Sequence, residues 1–116
     1  MPLGLLLILF LVVAVGGAAL ALLESRGRAP ALPVSALHGV LGITAIVLLV
    51  MQDLAHPDNK LVNTATLVFM LAAAGGLLLF AFRATRQKLP GAVVGLHALF
   101  ALAALAVMVC GWLKGT

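Results

Sequence analysis

Three features of the sequence point to an all-α integral membrane four-helix bundle. The chain of 116 residues is 65% hydrophobic and only 9% charged, too little polar material to cover a water-soluble domain of this size. Four apolar runs approach or exceed the roughly 20 residues that cross a bilayer as a helix. The chain also repeats itself at an offset of 59 positions, which predicts two helical hairpins in up-down-up-down order.

The first helix is expected over Leu3–Leu23. No basic segment precedes this run and it is long enough to span, so it reads as a retained helix rather than a secretory signal. The second is expected over Val34–Met51, after Pro30 and Pro33. The third covers Leu61–Phe82 after Pro57 and Asn59, and the fourth covers Ala92–Leu113 after Pro90. Proline and asparagine at these places start helices. Almost nothing lies outside the four runs, so the expectation is a single transmembrane domain, residues 1–116, with repeat 1 at about 1–57 and repeat 2 at about 60–116.

Charge sets the expected orientation. Arg26, Arg28, Arg83, Arg86 and Lys88 lie in two connections, 24–33 and 83–90, while Lys60 and Lys114 lie at the other end with Asp53 and Asp58. The excess of positive residues places both basic loops in the cytoplasm of a bacterial-type inner membrane and both termini outside. Trp112 then falls at the outer interface, where indole rings prefer to sit. The net charge of +4 is explained by topology and implies no nucleic-acid partner. The single cysteine, Cys110, rules out an intramolecular disulfide and cysteine-based zinc or iron–sulfur ligation, and reads as a small apolar filler.

The repeat rests on two unusual agreements. Gly16-Gly17 precedes His38 and Gly75-Gly76 precedes His97, each histidine following the second glycine by 21 positions. Leu37-His38 matches Leu96-His97 in the same frame. Two hairpins in tandem imply parallel repeats about an axis along the membrane normal, with His38 and His97 at one depth, one to two turns inside the cytoplasmic boundary. Ionisable groups at such a depth are costly and mark functional sites. Gly42 and Ala45, and Ala101 and Ala104, follow the histidines at i+4 and i+7 on the same helical faces. Two facing imidazoles with Gly16, Gly17, Gly75, Gly76, Gly42 and Ala101 around them suggest a slot for a flat macrocycle, with His38 and His97 as axial ligands of a haem iron. The second ring nitrogen is expected to donate to a carbonyl of the preceding turn, Val34 or Val93. Arg26, Arg28, Arg83 and Arg86 are expected to meet haem propionates.

In this layout the chain resembles the small membrane b-type cytochromes of the b561 kind, on Leu37-His38-Gly39, Leu96-His97-Ala98 and the hairpin repeat. The resemblance implies four helices, haem b and electron transfer between quinol or a partner subunit and another redox centre. The b561 cores use four histidines for two haems; two intramembrane histidines here imply one. Other readings follow from the same residues. The chain suits a non-catalytic accessory subunit of a larger membrane complex, as a homo- or hetero-oligomer, with the histidines as interhelical polar contacts. It also suits a small histidine-dependent transporter: helix 1 lacks the carboxylate that small drug exporters of this outline carry there, which leaves His38 and His97 as the intramembrane groups able to couple protons. His56 in Asp53-Leu54-Ala55-His56-Pro57-Asp58 reads as part of a solvated turn. Nothing in the sequence carries a hydrolytic, nucleotide-binding or other catalytic motif.

Overall fold

A computed structural model describes residues 2–28 and 30–115; positions 1, 29 and 116 of the expected domain and of the 24–33 connection lie outside the described residues. Four helices follow in order, α1 (Leu3–Ser25), α2 (Leu32–Ala55), α3 (Lys60–Ala84) and α4 (Gly91–Gly115). Their most apolar stretches have mean hydropathies of 2.9, 2.3, 2.3 and 2.5, so all four are long and apolar enough to cross a membrane. Leucines and valines line the outside, with Val15 70% and Leu67 64% exposed. That suits a lipid surround and would aggregate in water.

Each helix runs past its apolar stretch by one to four residues at one or both ends. Gln52, Asp53 and Lys60 continue the helical hydrogen bonding beyond the point where hydropathy falls. Pro33 lies inside the first turn of α2 rather than before it, where its missing N–H leaves no bond unmade. The Asn59 side chain caps α3 by accepting from the Val62 amide at 3.2 Å, and its Nδ2 donates to Gly111 O at 3.0 Å. That second bond ties the start of α3 to the end of α4. The basic connections close alike. Arg28 N donates to Leu23 O and Gln87 N to Phe82 O, both at 2.9 Å, over Gly27 (φ 72°) and Arg86 (φ 58°) in left-handed conformation. This is the hydrogen-bond pattern of a helix C-terminus closed by a left-handed residue.

Helix α1 packs on α2 and α4, and α3 packs on α2 and α4. The start of α1 lies beside the end of α4, since Trp112 covers Gly4; this is the Trp112 end. The ends of α1 and α3 meet through Glu24 and Arg83; this is the basic end. Most of the buried side chains, among them Leu6, Phe10, Ala45, Leu49, Ala65, Phe69, Ala104 and Met108, belong to the Trp112 half. Phe10 and Phe69 stack there with ring centroids 4.1 Å apart. Among the described residues Ala72, at mid-helix beside His97, is the buried residue that lies furthest towards the basic end. One half of the bundle is therefore a packed core, and the other is held by a few specific contacts.

Pairs of residues 59 positions apart meet one another three times: Phe10 with Phe69, His38 with His97 and Glu24 with Arg83. Burial follows the same offset. Leu6, Leu7, Phe10, Ala45 and Leu49 are buried, and so are Ala65, Thr66, Phe69, Ala104 and Met108.

Helices α3 and α4 pack along their length, and Gly111 sets how close they come. A methyl group there would lie 2.7 Å from Val62 Cγ2 and 3.1 Å from Val62 N, whereas nothing lies within 4 Å of one at Gly39. Gly111→Ala is expected to destabilise the bundle by about 1–3 kcal/mol, the usual cost of overpacking. Gly39→Ala is expected to be neutral or to stabilise by up to about 1 kcal/mol through helix propensity. Thermal unfolding in detergent, followed by circular dichroism, compares the two.

Candidate functional site

Helical side chains lean towards the N-terminus and cover the turn before them. Residues i+3 and i+4 therefore shield the carbonyl of residue i. On α3, positions i+3 and i+4 from Ala72 are Gly75 and Gly76; on α1, those from Val13 are Gly16 and Gly17. Each glycine pair strips the cover from one helix carbonyl and leaves a hollow beside it. The imidazoles of the following helices fill these hollows. A methyl at Gly17 would stand 2.8 Å from His38 Cε1, and one at Gly76 would stand 3.0 Å from His97 Cε1. Gly75 lies under the His97 Cβ at 3.5 Å and Gly16 under His38 Nδ1 at 3.8 Å, measured from the same idealised methyl.

His97 Nδ1 lies 2.7 Å from Ala72 O. A carbonyl only accepts, so Nδ1 carries the proton and the Nε2 lone pair is left free. The acceptor belongs to the neighbouring helix, not to Val93 of the preceding turn as the sequence suggested. The Val93 carbonyl lies within α4's own hydrogen-bonding ladder, whereas glycines bare Ala72. His38 faces the equivalent carbonyl, Val13, but its Nδ1 is buried without completing a hydrogen bond. Val34 is not its partner either.

The two rings stand with centroids 6.3 Å apart and planes at 89°. Imidazoles on opposite sides of one metal ion, with bonds of about 2 Å, have centroids roughly 6 Å apart, a spacing these rings match, while their Cε1–Nε2 edges lie against Gly17 and Gly76. The packing beside them sets a limit. A hollow of about 170 Å³ opens beside His38 between α1 and α2, lined by Val13, Gly16, Leu20, Val34 and Leu41 among others. That is smaller than the roughly 300 Å³ at which small-molecule sites begin. A porphyrin here requires the helices to part around the imidazole pair.

The other expected site residues are placed differently. Gly42 faces Val13 of α1, where a methyl group would stand 3.6 Å from Val13 Cγ1, and opens the α1–α2 contact rather than the space between the rings. Ala101 is half-buried. Arg83 is engaged by Glu24 at 2.5 Å, while Arg26, Arg28 and Arg86 are exposed at the basic end. His56 and Cys110 are exposed, and among the described residues no three of His, Cys, Asp and Glu gather as metal ligands. Sequence reasoning missed the contact of Thr66 Oγ1 with Asp53 Oδ2, which joins α2 to α3. Its only signal was a carboxylate and a hydroxyl on helices consecutive in sequence.

Glu24 and Arg83 are half-buried, so their pairing carries no more than about 1 kcal/mol after solvent screening. It bridges α1 and α3, whose backbones do not approach each other. Glu24→Arg is expected to lower stability, because two guanidinium groups then face each other. The exchange Glu24→Arg with Arg83→Glu is expected to recover most of the loss. A double-mutant cycle on unfolding midpoints measures the coupling.

Family models, curated proteins and solved structures contain no match to this chain, and the site stands on its own geometry.

Proposed function

We propose that the chain is a duplicated helical hairpin, folded up-down-up-down in a bacterial-type inner membrane, that holds one haem b between His38 and His97 for electron transfer. The two-fold arrangement is supported by the three self-matching contacts and by the matching burial at an offset of 59. Orientation, with the basic loops cytoplasmic and both termini outside, rests on the distribution of arginine and lysine. The observation that carries the haem reading is the pair of imidazoles 6.3 Å apart, one of them with Nδ1 held by a carbonyl. A backbone carbonyl on the second nitrogen is the usual support of a metal-ligating histidine.

In this reading the haem supplies a one-electron couple. His38 and His97 hold it from α2 and α4. Ala72 O fixes the tautomer of His97, and the four glycines let both rings sit at the necessary depth. Arg26, Arg28 and Arg86 are the cations free to meet propionates; Arg83 serves by holding Glu24. The electron partner is quinol or a subunit of a larger redox complex that shares the lipid phase.

A second reading has an observation of its own. The glycine hollows are filled by the imidazoles themselves, which suits histidines that only join helices in an accessory subunit. The two readings part on one measurement. Protein purified in detergent from haem-replete cells is expected to show the low-spin b-type absorption bands when reduced with dithionite. His38→Ala and His97→Ala are each expected to lower haem content at least tenfold, and Gly17→Ala to lower it by displacing His38. A colourless preparation of folded protein contradicts haem binding and leaves the accessory reading.

A further inference from the structure

We propose that Asp53, Asn63 and Thr66 form a binding site for one monovalent hard cation, sodium, at the Trp112 end of the bundle. Thr66 is buried, and its hydroxyl sits between Asp53 Oδ2 and Val62 O at 3.0 Å. Asn63 lies one turn before Thr66 on α3. Its Nδ2 donates to Pro57 O at 2.9 Å, which fixes the amide orientation and commits its only donor group. Two oxygens are then sealed from solvent with no hydrogen-bond partner, Asp53 Oδ1 and Asn63 Oδ1. Both are acceptors, and an acceptor left bare costs free energy until a donor or a cation meets it.

The 59-residue correspondence makes the trio conspicuous. The matching positions in the other half are Trp112, Gly4 and Leu7. There the indole covers Gly4, with its Nε1 3.6 Å from where a methyl would stand, and Leu7 is buried. At the same junction on the other side, all three places carry an oxygen-bearing side chain, and a carboxylate replaces a far larger indole. Apolar packing closes one junction; the other exchanges it for three oxygen donors.

Charge selects the occupant. Among the described residues the one ion pair is Glu24–Arg83, so no protein cation answers Asp53. A carboxylate close to hydrocarbon needs a compensating charge. A carboxylate, a hydroxyl and a carboxamide are oxygen ligands, which favour hard cations over transition metals. One monovalent ion neutralises Asp53, whereas a divalent ion would leave a net positive charge beside the membrane.

The site is tested on the full chain in detergent by thermal unfolding in sodium chloride and in choline chloride at equal ionic strength. Sodium is expected to raise the midpoint saturably, by roughly 5 °C, as any ligand of the native state does. Asp53→Asn and Asn63→Ala are expected to abolish the rise. Should either variant fail to fold, ²³Na line broadening by the unmodified protein, reversed by lithium and not by choline, gives the same answer. Identical curves in the two salts without line broadening, or a sodium response retained by Asp53→Asn, overturn the proposal. Neither readout involves haem, so the result stands apart from the electron-transfer reading.

Discussion

The structure turns on a side chain placed against a bare backbone. Each glycine pair uncovers one helix carbonyl and opens a hollow beside it, and one imidazole of the next helix enters that hollow. Without the glycines, a methyl group at position 17 or 76 would collide with a ring edge. Without the carbonyl, a ring nitrogen in hydrocarbon would have no partner, and the burial of an unpaired polar group is expensive. His97 completes this arrangement with Ala72; His38 enters the same seat and leaves its Nδ1 unpaired. The two seats share the glycine pair and the bared carbonyl and differ in hydrogen bonding.

Packing is divided along the bundle axis in a way that serves such a site. The Trp112 half carries the buried core, centred on the Phe10–Phe69 stack and the small residues Ala45 and Ala104. It holds the helices together without help from the site. The basic half has the imidazole pair and the Glu24–Arg83 bridge in place of a core. Most of the apolar burial that stabilises the fold lies away from the imidazole pair.

Much of this was legible in the sequence, for identifiable reasons. The four helices follow from apolar runs whose length matches a bilayer, and their existence needs no tertiary information. Their ends were less legible, because residues such as Gln52 and Asp53 lower hydropathy without breaking backbone hydrogen bonding. The meeting of His38 with His97 was readable from the 59-residue offset, since residues on a two-fold axis meet their own equivalents. The acceptor for His97 was not. Local reasoning looks to the carbonyl four residues back, and the real acceptor lies 25 positions away on another helix. The glycines were noticed as removed volume, but what occupies that volume depends on how neighbouring helices are turned. The Asp53–Thr66 contact escaped notice because it has no counterpart in the other half.

The most direct test of this account is the distance between the two imidazoles. With His56→Gln, only His38 and His97 remain to be labelled with ¹³C and ¹⁵N. Solid-state NMR of this protein in lipid bilayers then reports their separation. A ring-to-ring correlation at about 6 Å, with one Nδ1 shifted by a hydrogen bond to a carbonyl, is the expected result. Rings more than about 10 Å apart, or facing the lipid, would contradict the shared seat and every reading built upon it.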